Sequence, residues 1–165
     1  MKSGDDLRGR RIAAFHEAGH TVAAWHFGIG CRAQIVRDGP GKRSRFWVGF
    51  STIDALDKNC TLFRRAVFTW AGPIAEWLAD GQIDRADLRS DSLFWVGWMA
   101  DSVGTEDAGK YHVADSDWLH DAAYLYRERP ARIAARILDS RYDELCEVAA
   151  KLESRRCIES RVEAT

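Results

Sequence analysis

Residues 10–27 read RRIAAFHEAGHTVAAWHF, and this stretch decides the fold because it combines a clear helical pattern with the strongest chemical signal in the chain. It is rich in alanine, and its large apolar residues recur at roughly the helical period. These residues are Ile12, Phe15, Val22 and Trp25. Gly28 and Gly30 predict the end of the helix. Gly19, which costs ~1 kcal/mol of helix propensity relative to alanine, indicates that another segment approaches closely there.

His16, Glu17 and His20 form an H-E-x-x-H motif inside this predicted helix. Residues four apart lie on one helix face, so both imidazoles can reach a single Zn²⁺ at ~2.0–2.1 Å. Glu17 is suited to take a proton from a zinc-bound water without itself being a ligand. Because zinc activates water at neutral pH and polarises carbonyls, the motif predicts a zinc-dependent peptide hydrolase. The alternative is a chance motif whose histidines are solvated or hydrogen-bonded in the core.

The remaining sequence predicts a small sheet and further helices. Short runs of β-branched and aromatic residues at 33–37 and 46–53 flank a turn-prone segment, which indicates a hairpin or part of a small sheet. Apolar periodicity predicts a helix over 61–79, with Gly72-Pro73 marking a kink or the start of a second helix. The apolar run at 91–103 predicts a buried helix, with a strand as the alternative because periodicity does not separate the two in so short a run. Further helices are predicted at 116–129 before Pro130, and from 131 to about 156 as one long helix or a helix pair. The predicted fold class is therefore mainly α with a small β-sheet (α+β).

Length and composition describe one globular domain. The chain has 165 residues, of which 46% are hydrophobic and 30% charged, so we expect a single domain over residues 1–165 with residues 1–8 flexible. Its 24 basic and 25 acidic residues give a net charge of -1, which provides no field to gather nucleic acid. The N-terminal sequence lacks the apolar run of a signal peptide, and no apolar stretch approaches the ~20 residues of a membrane span. We therefore expect a cytoplasmic protein without a membrane segment.

The cysteines predict no metal or redox motif of their own. Cys31, Cys60, Cys146 and Cys157 contain no C-x-x-C pair, so neither a zinc ribbon nor a thioredoxin-like motif is present in the sequence. We expect them to be reduced and mostly buried.

Two segments resemble the peptidase domain of FtsH-type ATP-dependent zinc metalloproteases. Residues 11–22, RIAAFHEAGHTV, look like the zinc-site helix of that family, in which H-E-A-G-H is the family form of the motif. Residues 70–81, WAGPIAEWLADG, are similar to the family's A-G-x-x-A-E segment, which a glycine follows a few residues on. Both occur in the family's order with a β-like segment between them, and the resemblance covers roughly residues 10–126. It implies an FtsH-like zinc peptidase fold with one Zn²⁺ per chain.

The resemblance also implies a substrate class and partners. The substrates would be exposed or unfolded polypeptides, hydrolysed by a metalloendopeptidase that is a stand-alone or divergent small relative of FtsH. Because FtsH-like peptidase domains form rings, a homo-oligomer is implied, and an ATPase partner in trans remains open. The alternative function is a catalytically weak zinc-binding regulatory or interaction domain. Glu17 argues against that alternative, because a structural zinc site needs no base.

Two histidines and a water leave one position of a tetrahedral zinc site for another protein ligand. In the resembled family this ligand is an Asp in the first turn of a later helix, and residues 114–118, ADSDW, are the closest counterpart, which points to Asp117. Helix capping is the alternative role for Asp117. Asp91 matches the family's spacing better, and Asp87 is followed by a leucine as the family's Asp often is. Glu76 is a further candidate ligand, although the resemblance favours a supporting role for it on a ligand histidine.

Overall fold

The described part of the chain is mainly α-helical with a small antiparallel sheet, as the sequence predicts. A computed structural model describes residues 4–37, 47–53, 56–90 and 128–160. Their helices are α1 (Gly4–His26), α2 (Leu62–Asp80), α3 (Arg85–Arg89), α4 (Glu128–Ser140) and α5 (Tyr142–Arg155). Their strands are β1 (Cys31–Arg37), β2 (Trp47–Ile53) and β3 (Cys157–Ser160). None of the described helices combines the length and apolar character that crossing a bilayer requires.

Helix α1 begins earlier than the sequence pattern predicts. It starts at Gly4, whereas the apolar pattern in the sequence begins near residue 10. Asp6 accepts a hydrogen bond from Trp47 Nε1 at 2.9 Å, and Arg8 Nε donates to Asp80 Oδ1 at 3.0 Å. These contacts tie the first turns of α1 to β2 and to the end of α2.

The three strands form one sheet in the order β2-β1-β3, with both pairings antiparallel. Cys31 lies opposite Ile53 and Arg37 opposite Trp47, which confirms the predicted pairing of the two runs. Strand β3 was not predicted. It has only four residues and directly follows α5, so it is too short to show an alternating pattern in the sequence.

Helix α2 runs through Pro73 and ends where the sequence predicts. Thr61 caps its start by accepting a hydrogen bond from Arg64 N at 3.3 Å, and Gly81 closes it in the left-handed region at φ 75°. Pro73 therefore does not start a second helix. Pro130 is also not a boundary, because it lies in the first turn of α4, where its missing N–H has no intrahelical partner to lose.

The C-terminal helical pattern is confirmed as a pair of helices, α4 and α5, separated at Arg141. The predicted helix at 91–103 and most of the one at 116–129 lie outside the described residues. No disulfide links the four cysteines: Cys31 and Cys60 are buried, but Cys146 is half-buried and Cys157 exposed. The expectation that most of these thiols are buried is therefore wrong for Cys157.

Helix α1 lies at the centre of the core. It packs against α2, α4 and α5 on its sides and against β1 and β2. Fully buried side chains from these elements include Val22, Ile35, Trp70, Ile74, Leu138, Leu145 and Leu152. Because α1 is enclosed in this way, its H-E-x-x-H residues face neighbouring helices and strands. The residues of those elements determine which hydrogen bonds the motif can form.

Candidate metal centre

His16 and His20 lie one turn apart on the side of α1 that meets α2. Their ring centroids are 4.8 Å apart, with the ring planes at 71°. His20 is 1% exposed and stacks on Phe68 at 4.6 Å between centroids, while the side chain of His16 is 14% exposed. Both rings are thus held between two packed helices.

Each histidine is oriented through its Nδ1 atom by an acceptor on α2. His16 Nδ1 lies 2.7 Å from Glu76 Oε2, and His20 Nδ1 lies 2.7 Å from the backbone oxygen of Phe68. A carbonyl oxygen and an ionised carboxylate only accept hydrogen bonds, so Nδ1 carries the hydrogen in both neutral rings. Nε2 is then the nitrogen that carries the lone pair, as a metal ligand requires.

The two Nε2 atoms converge beside Gly72 of α2. A Cβ atom on Gly72 would lie 2.8 Å from His16 Nε2 and closer still to His20 Nε2. Real Cβ atoms essentially never come within 3.0 Å of another atom, so only glycine fits here without displacing the rings. The two Nε2 atoms are therefore near each other on the α2 side of the rings, as two ligands of one cation must be.

Gly19, inside the motif, allows α1 and α2 to approach. A Cβ atom on Gly19 would lie 2.7 Å from Ala75 Cβ and 2.9 Å from the carbonyl carbon of Ala71. The close approach that the costly glycine predicts is therefore confirmed. It brings the Nδ1 acceptors and Gly72 within reach of the histidines.

Glu17 lies on the other side of this centre, against β2. The residue is 3% exposed, and Ser51 Oγ donates a hydrogen bond to its Oε2 atom. A Cβ atom on Gly49 would overlap Oε1, Cγ and Cδ of Glu17. Strand β2 thus forms a close-fitting wall around the glutamate side chain.

A buried thiol extends this polar group. Cys31 Sγ lies 3.8 Å from Thr21 Oγ1, and Thr21 Oγ1 donates to the backbone oxygen of Glu17 at 2.8 Å. The pKa of the Cys31 thiol is raised to about 12, chiefly by burial and also by the charge of Glu17, against the lowering effect of hydrogen bonds with Thr21 and Ser51. Cys31 is therefore a protonated thiol at neutral pH.

The candidates for the remaining ligand have different outcomes. Glu76 contacts His16 at Nδ1, which is the supporting position implied by the resemblance. Asp87 caps α3, since its Oδ2 accepts from Asp84 N at 2.8 Å. Asp91 and Asp117 lie outside the described residues, so Asp117 stays a prediction. Within residues 4–37, 47–53, 56–90 and 128–160, no three His, Cys, Asp or Glu side chains are grouped to hold a metal.

Sequence reasoning missed Gly49 and Ser51. The available signal was their spacing of two on a predicted strand, which places both side chains on one face of the sheet. Which face meets Glu17 depends on how the hairpin packs on α1, and the sequence pattern does not specify that packing.

The described residues define an α+β chain with a histidine pair anchored at Nδ1 and a buried glutamate beside it. Comparisons with models of known protein families and with curated protein sequences yield no match. The case for a function therefore depends on the chemistry of the site itself.

Proposed function

We propose that this chain is a zinc-dependent metalloendopeptidase acting on exposed or unfolded polypeptides, with His16 and His20 as zinc ligands and Glu17 as general base. The convergence of both Nε2 atoms beside Gly72 carries the proposal. Because residue 72 has no side chain, none of its atoms occupies the space next to both ring nitrogens. The Nδ1 contacts support the same conclusion, because they fix the tautomer that leaves Nε2 as the ligand atom.

The residues present fit a zinc ion. Two imidazole nitrogens and an outer carboxylate, Glu76, are typical of zinc sites, and Asp117 is proposed as the remaining protein ligand. When bound, zinc supplies a Lewis acid that polarises the scissile carbonyl and makes water acidic enough to react at neutral pH.

Glu17 handles the proton. As general base it takes a proton from the attacking water, and as general acid it passes that proton to the leaving amine. Its enclosure by Gly49 and the hydrogen bond from Ser51 hold the carboxylate in one place. Because β2 is the outer strand on one side of the described sheet, an extended polypeptide pairing with its outer edge would run past Glu17.

We also propose the FtsH-like peptidase fold for this chain. The support comes from the segment that resembles the family's A-G-x-x-A-E sequence, because each of its defining residues lies at the α1–α2 crossing. Ala71 and Ala75 face Gly19, whereas Gly72 faces both histidines and Glu76 contacts His16. The two resembling segments thus meet in space as one site, although about 50 residues separate them in sequence.

The test measures zinc and hydrolysis separately. Zinc content is determined in the wild type, His16→Ala and Glu17→Gln, and each is assayed for casein cleavage with and without a chelator. We expect one zinc in the wild type, loss of zinc in His16→Ala, and retained zinc with at least ~100-fold slower hydrolysis in Glu17→Gln. His26→Ala, an exposed histidine at the end of the same helix, should behave as wild type.

The competing functions give different results. A regulatory zinc-binding domain would bind zinc but show no chelator-sensitive hydrolysis even in the wild type. A chance motif would leave the wild type without stoichiometric zinc. Either outcome would refute the proposed peptidase.

A further inference from the structure

Gly49 and Ser51 face α1 from strand β2. Their partners across the sheet are Ile35 and Ala33, both 0% exposed, so these four residues share the face that covers the core. Thr52, the next residue along the strand, is exposed and faces the other way. On the face of β2 that meets Glu17, Gly49 therefore leaves a space without a side chain and Ser51 provides a hydroxyl group.

We propose that Ser51 is the positioning residue for the general base: its hydroxyl, together with the space at Gly49, fixes the carboxylate of Glu17 in its reactive orientation. This inference rests on the proposed function and assigns β2 a part in the chemistry as well as in the fold. In this role Ser51 acts through Glu17.

The hydrogen-bond directions support this role. The hydroxyl hydrogen of Ser51 is donated to Glu17 Oε2, and that of Thr21 to the Glu17 backbone oxygen. The Cys31 thiol is buried and protonated, so it does not compete with Glu17 as a charged acceptor for the Ser51 hydrogen.

Fixing the carboxylate matters because glutamate is a flexible base. Its side chain rotates about three bonds, and a misplacement of ~1 Å at a reacting group can cost about 100-fold in rate. A carboxylate oxygen offers two acceptor lone pairs, so Glu17 can hold the Ser51 hydrogen and still receive a proton from water. Loss of the Ser51 hydroxyl should therefore lower kcat with little change in zinc binding or KM.

The test compares Ser51→Ala and Ser51→Thr with Thr52→Ala, which removes a hydroxyl from the opposite face of the same strand. For chelator-sensitive casein hydrolysis we expect Ser51→Ala to lower kcat by about 10- to 100-fold, with one zinc retained and KM within about twofold. Ser51→Thr keeps the hydroxyl and should recover most of kcat. Thr52→Ala should match the wild type in both parameters.

Two further variants keep the result decisive. In a Glu17→Gln background, Ser51→Ala should have little additional effect, because the group that it positions is already lost. Ser51→Cys preserves side-chain shape but replaces a good donor with a weak one, and it should lower kcat even if Ser51→Ala fails to fold.

The possible failures are distinguishable. If the wild type shows no chelator-sensitive hydrolysis, the proposed function falls and this inference falls with it. If the wild type is active but Ser51→Ala, or Ser51→Cys where alanine does not fold, keeps the wild-type kcat, only the role of Ser51 is overturned. A matching loss in Thr52→Ala would likewise overturn it, because strand packing would then explain the effect.

Discussion

At Gly72 an added Cβ atom would meet both histidine rings, so Gly72→Ala is the most direct test of the proposed metal centre. The substitution adds one methyl group and should otherwise favour the helix, because alanine has ~1 kcal/mol better helix propensity than glycine. Any loss of zinc binding would therefore arise from the position of the added Cβ atom.

The distances set the size of the effect. A Cβ atom at this position would lie 2.8 Å from His16 Nε2, whereas non-bonded heavy atoms prefer about 3.5 Å or more, so the ring must retreat by about 0.7 Å or more. The displacement of His20 Nε2 is larger still. Metal–ligand distances are held to about 0.2 Å, so both rings leave ligand geometry together. We expect zinc affinity to fall by at least about 100-fold, which corresponds to about 2.7 kcal/mol.

The assay is competition for zinc against a chromophoric chelator, combined with urea unfolding of the metal-free protein so that zinc does not itself add stability. Overpacking costs about 1–3 kcal/mol, partly offset by the gain in helix propensity, so the metal-free variant should remain folded. Gly9→Ala in α1 is the matched control, because its nearest neighbour would be Trp47 Cδ1 at an ordinary 3.7 Å. Normal zinc affinity in a folded Gly72→Ala variant would refute the proposed position of the metal.

Three further predictions concern the surroundings of the site. Glu76→Gln should weaken zinc binding by about 10- to 100-fold in the same competition assay, whereas Asp80→Asn, which removes a charge one turn further along α2, should not. Gly19→Ala should lower the free energy of unfolding, measured by urea denaturation, by about 1–3 kcal/mol, because the added Cβ atom would meet the backbone of α2. Unchanged stability would contradict the close approach of α1 and α2 at Gly19. Cys31 is buried and its raised pKa of about 12 keeps it protonated, so iodoacetamide at pH 8 should modify exposed Cys157 and should modify Cys31 only in urea. Mass spectrometry measures the modification of each cysteine. Rapid modification of Cys31 in the folded protein would contradict its burial.

The parts of the fold that local pattern determines were predictable. The alanine-rich period of α1 and the two β-like runs at 33–37 and 46–53 identify a helix and a strand pair before any tertiary contact is known. The two helices that contain proline tolerate it for different reasons. Pro130 lies in the first turn of α4, where no intrahelical hydrogen bond is lost, whereas Pro73 lies in a stretch of α2 that is buried throughout.

The site was predictable only as far as its chemistry is local in sequence. The spacing of His16 and His20 predicts a shared face, and the structure shows their Nε2 atoms converging. The acceptor for His20 Nδ1 is a backbone carbonyl, that of Phe68, and a main-chain atom has no sequence signature. The contact of Ser51 with Glu17 was not predictable for a related reason. Only the packing of β2 on α1 determines which face of β2 meets Glu17.

The helix crossing explains why the two resembling segments belong together. In α2, Ala71 and Ala75 provide the small surface against Gly19, and that contact sets how closely the helices approach. Gly72 and Glu76 then lie on either side of the histidine rings, one leaving space at Nε2 and the other holding Nδ1. A larger residue at Ala71 or Ala75 would separate the two helices. The carboxylate of Glu76 would then move away from His16, although no proposed ligand would be altered. Helix packing and ligand orientation are therefore one constraint, so a substitution that loosens the crossing should weaken zinc binding even where it leaves the H-E-x-x-H motif intact.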